Sequence, residues 1–178
     1  MKVFGLSGMI GSGKSIVADI IVQEENASFY RFSDTLGDIL RLLGRDVSRE
    51  NLQALGVSLR QAFGDDVLAQ AMRGRLQKDN PETAVIDGVR YPEEYEFIKN
   101  LGGSLWFIDA SQETRYKRTV SRGTRGEAEI SFKEFIESQG NKTEEGIMDL
   151  KSKADEVLEN NGSMEDLRAR VLDSLGKS

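Results

Sequence analysis

Five short apolar runs punctuate the chain, at Val3–Leu6, Phe29–Phe32, Ala84–Ile86, Leu105–Ile108 and, more weakly, Glu156–Leu158. Each has the length of a buried strand and not of a helix. Helical patterns fill the intervals. Ser15–Val22 is broadly apolar, Leu52, Leu55, Leu59 and Phe63 fall on one helical stripe, and Met164, Leu167, Val171, Leu172 and Leu175 form another. Strands that alternate with helices predict a parallel sheet covered on both faces. Two segments break the rhythm. Residues 48–80 read as a long helical insertion between strands, and 121–140 is charged, dotted with glycine and poor in apolar residues, as expected of a lid.

No internal repeat or linker separates these elements, so 1–178 is expected to form a single domain. A chain of 178 residues buries roughly two thirds of the surface its unfolded form exposes, enough for a substantial core. No apolar run approaches the ~20 residues of a membrane helix, and the amino terminus lacks a secretory apolar region. A cytoplasmic location, with no membrane partner, is the expectation.

Composition removes several chemistries. There are no cysteines and no histidines. Disulfides, thiolate and imidazole metal sites, the Ser-His-Asp arrangement and phosphohistidine intermediates are therefore excluded. The net charge of −6 argues against a general affinity for nucleic acid. What remains is chemistry done by positioning and charge stabilisation, of which phosphoryl transfer is the leading example.

Gly8-Met9-Ile10-Gly11-Ser12-Gly13-Lys14-Ser15 fits the phosphate-loop pattern G-x-x-x-x-G-K-[ST] between the first strand and the first helix. Its glycines, with Ser12 between them, let backbone N–H groups converge on phosphate oxygens at the positive end of a helix. Lys14 would hold the β and γ phosphates of ATP, and the Ser15 hydroxyl would ligate Mg²⁺. The alternative of an ordinary glycine-rich turn is disfavoured, because the four fixed positions arise by chance in under ~1% of chains this long.

Asp87-Gly88-Val89-Arg90 leaves the third apolar run, where an acidic residue can hold the water shell of Mg²⁺. Asp109 ends the fourth run and competes for the same role, although it also precedes a helix and could serve as its start. Asp34, after the second run, can begin a helix as a cap, and Arg41 follows two turns later. Arg115, Lys117, Arg118, Arg122 and Arg125 form a basic series in an acidic protein. At helical spacing Arg115, Arg118 and Arg122 share a face and could converge on an anion. Tyr116 is the one aromatic residue among them, too few for the base-stacking platforms that single strands require, so RNA is the weaker explanation.

With these residues the chain resembles the P-loop nucleotide kinase superfamily, and most of all the phage-type deoxynucleoside monophosphate kinases. The likeness lies in Leu52-Gln53-Ala54-Leu55-Gly56, Leu59-Arg60, Phe63-Gly64-Asp65-Asp66-Val67-Leu68 and Asp87-Gly88-Val89-Arg90-Tyr91-Pro92-Glu93-Glu94. Gly37-Asp38-Ile39-Leu40-Arg41 is similar to the acceptor helix of adenylate kinases, whose arginine holds the monophosphate. An arginine pair spaced like Arg118 and Arg122 divides in that family into one that covers adenine and one that holds ATP phosphates. The two ends, Gly5–Ser15 and Ala154–Ser163, look instead like dephospho-CoA kinases, while Gly88-Val89-Arg90 departs from the Pro-Leu-Leu stretch those enzymes carry.

The resemblance implies a three-layer α/β P-loop NTPase fold with a parallel sheet of about five strands and helices on both faces. It implies an ATP- and Mg²⁺-dependent kinase acting on a (deoxy)nucleoside monophosphate, as a monomer or homodimer. Arg41, Arg60 and Arg90 would hold the acceptor phosphate, and Arg118, Arg122 and Arg125 the donor. A phosphate acceptor is already ionised near neutral pH and needs no strong base, which suits a chain without histidine. Dephospho-CoA would offer a hydroxyl and would need one, for which Asp34 is the candidate. A regulatory P-loop ATPase is the rival from another class, but a switch has no use for a second arginine cluster.

Overall fold

The computed structural model describes residues 1–122, 130–137 and 142–177, and for Arg122 and 142–145 the backbone alone. Five strands, β1 (Lys2–Ser7), β2 (Ser28–Arg31), β3 (Thr83–Asp87), β4 (Ser104–Asp109) and β5 (Glu156–Glu159), form one parallel sheet in the order β2-β3-β1-β4-β5. Between them run α1 (Lys14–Glu25), α2 (Phe32–Leu42), α3 (Arg49–Phe63), α4 (Val67–Asp79), α5 (Pro92–Asn100), α6 (Gln112–Arg122), α7 (Phe132–Glu137) and α8 (Lys142–Lys153), and α9 (Met164–Ser174) follows β5.

Side chains alternate across a strand, so the three inner strands β1, β3 and β4 feed two cores, while β2 and β5 at the edges each bury one residue of four. Val3, Ala84, Ile86 and Leu105 face one layer, where they meet Leu36, Leu68, Met72, Phe97 and Ile98. Phe4, Leu6, Val85, Trp106 and Ile108 face the other, against Val17, Ile20, Ile21, Leu167 and Val171 of α1 and α9. Continuous apolar strands are what burial on both faces demands, and fully burying each such residue is worth ~1.5–3 kcal/mol. At Gly5 a Cβ would press on Ile98 at 2.9 Å, so glycine sets how closely α5 approaches β1.

Three expectations need correction. The second apolar run is not all strand. β2 ends at Arg31, and Phe32 is the first residue of α2, buried in either conformation, so hydrophobicity alone does not mark the boundary. Asp34 is accordingly not the cap that starts this helix. It sits in the first turn, and its Oδ2 accepts from the backbone N–H of Arg31 at 3.1 Å. The 48–80 insertion is helical as expected and consists of two helices. Ser48 caps α3 by accepting from Asn51 N at 3.1 Å, and Gly64, at φ +99°, breaks the chain before α4. Leu52, Leu55 and Leu59 of the expected stripe pack on the core, but Phe63, the last residue of α3, is 68% exposed.

The carboxyl ends of the strands make the working edge. The chain leaves β1 toward β2 on one side and reaches β4 on the other, and this change of direction opens a crevice above β1. In register, Leu6 of β1 and Arg31 of β2 both lie level with Asp87 of β3. Of the 121–140 segment, α7 is described and is better anchored than its composition suggests. Phe135 is buried and, with Phe132, packs against Tyr116 of α6, whose hydroxyl donates to Ile130 O at 3.0 Å. Residues 123–129 and 138–141, with half of the expected lid and Arg125, lie outside the described residues.

Candidate active site

The loop Gly8–Gly13 joins β1 to α1 and is held by what surrounds it. Gly8, Gly11 and Gly13 have φ of +142°, +77° and +101°, a region that side chains rarely adopt. Space is denied as well. A Cβ on Gly8 would collide with the Ile108 carbonyl, one on Gly11 would lie 2.6 Å from Arg115 O, and one on Gly13 would strike the Asn160 amide. Glycine is thus required three times, twice by close approach of a neighbouring backbone.

Asn160, the residue after β5, locks the loop from below. Its Nδ2 donates to Ser12 O at 2.8 Å, its backbone N–H donates to Asp109 O at 2.7 Å, and Arg118 of α6 donates to its carbonyl at 3.0 Å and its Oδ1 at 3.2 Å. Burial pulls the Arg118 guanidinium pKa down from its usual value. Lys14 folds back over the loop, its Nζ donating to Gly8 O at 2.6 Å and Met9 O at 3.1 Å. An ammonium drawn onto two carbonyls of this loop stands where phosphate oxygens would compete for it. The Ser12 hydroxyl is buried without a hydrogen-bond partner among the described residues.

Beside the loop, the exit of β3 is pinned to the end of β1. Gly88 N and Val89 N both donate to Leu6 O at 3.1 Å, and the Ser7 hydroxyl donates to Val89 O at 2.7 Å. This holds Asp87 at the crevice, where it is 9% exposed. Its Oδ1 is buried and has no partner among the described residues, while Oδ2 lies 3.5 Å from Arg31 Nε. Asp109 is differently employed, paired with Lys151 at 2.5 Å. Among the described residues no three acidic side chains cluster to hold a metal. The donor set therefore fits a hard divalent cation held by one carboxylate, the exposed Ser15 hydroxyl and nucleotide phosphates, as Mg²⁺ usually is.

Past the exit of β3, Glu94 of α5 is a buried hub. It is 3% exposed, accepts from Arg60 NH2 at 2.8 Å and takes the backbone N–H groups of Arg90 at 2.8 Å and Tyr91 at 3.2 Å. Arg60 lies over the Tyr91 ring at 3.8 Å, and its Nε is buried without a partner among the described residues. Burial pushes the Glu94 carboxyl up to about 7, against the pull of the Arg90 N–H and the Arg60 charge. The Arg90 side chain is exposed. Thus Arg60 and Arg90 meet at one block, with Arg60 tied to a carboxylate. Arg41 stands apart on the exposed face of α2, paired with Asp38 at 2.8 Å, and Asp38 is also paired with Arg75.

Two residues of the basic face of α6, Arg115 and Arg118, reach the loop in different ways. Arg115 is buried and donates to Ala110 O at 3.2 Å and Ile10 O at 3.4 Å, so it braces the loop structurally. Arg118 does face the loop, near Gly13. The Arg122 side chain lies outside the described residues. Sequence reading missed Glu94, Asn160 and Arg31. Glu94 carried a usable signal, since Tyr91-Pro92-Glu93-Glu94 has the spacing of a helix start with an acid at its third position; Asn160 and Arg31 become visible only when β5 and β2 take their places in the sheet.

A family model described as an AAA domain matches residues 5–149, and a UPF0200 protein of Pyrobaculum aerophilum is 30% identical over 177 residues, 96% of this chain and 95% of that protein. The chain belongs to the AAA domain family and to the UPF0200 proteins. A second UPF0200 protein, from Hyperthermus butylicus, is 28% identical over 93% of this chain and 89% of its own length. Among solved structures, shikimate kinase from Aquifex aeolicus superposes with a TM-score of 0.58 at 19% identity, covering 99% of this chain and 96% of that one. The fold is that of the P-loop kinases.

Proposed function

We propose that this protein is an ATP- and Mg²⁺-dependent kinase that transfers the γ-phosphoryl group to a (deoxy)nucleoside monophosphate. The observation that carries the reading is the pairing of a glycine-built phosphate loop and its Lys14 with a second arginine block, Arg60 and Arg90, organised around Glu94 at the exit of β3. A switch protein needs only the first half. Support for the metal is the unpartnered Oδ1 of Asp87, next to the loop in the sheet.

In the proposed reaction the acceptor phosphate oxygen attacks the γ phosphorus in line. The bond from that phosphorus to the β,γ-bridging oxygen breaks, and ADP leaves with the electron pair. An acceptor dianion and ATP⁴⁻ give two trianionic diphosphates, so no proton needs a base. Lys14 and the loop N–H groups offset charge on the moving group, Ser15 and Asp87 would hold Mg²⁺, which offsets more of it, and Arg118 braces the donor side. Arg60 and Arg90 bind and orient the acceptor. Arg41, exposed and paired with Asp38, would join them only from outside.

The test is a coupled assay for ADP across deoxynucleoside monophosphates, ribonucleoside monophosphates and dephospho-CoA. Saturable turnover with a monophosphate is expected. Turnover confined to dephospho-CoA would move the acceptor to a hydroxyl and give Asp34 the role of base.

A further inference from the structure

We infer that Arg31 is the resident counter-charge of Asp87, displaced when a magnesium-bound nucleotide docks, and that it thereby sets how strongly Mg²⁺ tightens nucleotide binding. The inference rests on the nucleotide-binding reading above and adds a residue to it. Arg31 ends β2 and Asp87 ends β3, and the two are register partners, so the sheet itself delivers the guanidinium to the carboxylate. Their separation of 3.5 Å is an ion pair without a close hydrogen bond. Arg31 is nearly half exposed while Asp87 is almost buried, so the arginine is the partner free to move.

Charge makes the exchange necessary. Asp87 has one oxygen on Arg31 and one on nothing among the described residues. A divalent cation that takes this carboxylate into its hydration shell arrives within a few ångströms of the guanidinium, and the two cations repel. Arg31 is also placed to yield. Its guanidinium lies 4.8 Å from the Phe29 ring, which can keep it at the rim after it leaves Asp87. Asp109 could not play the part of Asp87, because Lys151 holds it at 2.5 Å, nearer than Arg31 lies to Asp87.

The experiment compares wild type, Arg31→Ala and Arg31→Lys by titration calorimetry with the non-hydrolysable ATP analogue AMPPNP, once in EDTA and once in excess Mg²⁺. The ratio of the two Kd values measures the gain from metal. In Arg31→Ala that gain should rise about two- to fivefold, the range of a half-exposed ion pair, with the affinity in EDTA unchanged. Arg31→Lys keeps the charge and should stay near wild type. Loss of a merely structural arginine would weaken binding in both buffers. The inference is overturned if Arg31→Ala leaves the gain unchanged or lowers it while AMPPNP still binds in EDTA. If wild type binds AMPPNP in neither buffer, the nucleotide reading itself has failed, and this inference goes with it.

Discussion

Glu94→Gln is the substitution whose outcome the structure fixes most closely. A carboxyl held at about 7 in the folded chain and at its ordinary 4.5 when unfolded keeps its proton longer in the native state. The native state therefore binds more protons between those values, and stability falls as pH rises through that window. The difference corresponds to ~3 kcal/mol, fully felt above pH 7 and absent below 4.5. Glutamine has the same shape and no proton to lose, so its curve lacks this contribution. It also gives up the ion pair with Arg60 at 2.8 Å, which adds an offset that is largest where Glu94 is ionised. The offset opposes the trend, but the pull of Arg60 is already contained in the value of about 7.

Urea unfolding of both proteins from pH 4.5 to 8, taken as a difference, cancels every other titrating group. The stability of Glu94→Gln relative to wild type should rise with pH by up to ~3 kcal/mol, or ~6–12 °C in Tm for a domain of this size. A difference that is flat across this range, or that moves against the variant as pH rises, would refute the claim that burial outweighs Arg60 at this site.

Other outcomes follow from the same contacts. Lys14→Ala should lower turnover by ~10²–10³ and leave the fold intact by circular dichroism, because the lysine's bonds are to loop carbonyls at a partly exposed site. Asn160→Ala should cost ~1–3 kcal/mol in urea unfolding, since it strands the buried Ser12 carbonyl, and should weaken ATP binding in calorimetry. Arg118→Ala should weaken ATP binding whichever acceptor is offered, whereas Arg90→Ala should raise the acceptor KM and leave ATP affinity nearly unchanged. Saturation curves with each substrate separate the two.

Much of the fold was legible because strands buried on both faces must be apolar throughout, as the three inner strands are, and all five runs became strands within one residue of where they were read. The phosphate loop was legible because its backbone admits almost no other residues at Gly8, Gly11 and Gly13. The contacts of the arginines were less legible. Spacing placed Arg115 and Arg118 on one face, but a helix packed against the loop turns the first into a structural donor and the second toward Asn160. Arg60 was recognised through resemblance, yet its partner Glu94 was not, because the pair joins residues 34 apart and only the packing of α3 on α5 brings them together. Arg31 reads as a polar interruption of an apolar run until β2 is laid beside β3.

The central claim is that the phosphoryl group ends on a nucleoside monophosphate and not on water. The most direct measurement is phosphorus NMR of the protein with ATP, Mg²⁺ and a deoxynucleoside monophosphate at equal concentrations. The account predicts ADP and the deoxynucleoside diphosphate appearing together in equal amounts, with inorganic phosphate rising far more slowly. ADP and inorganic phosphate rising together, at a rate indifferent to the monophosphate added, would contradict it.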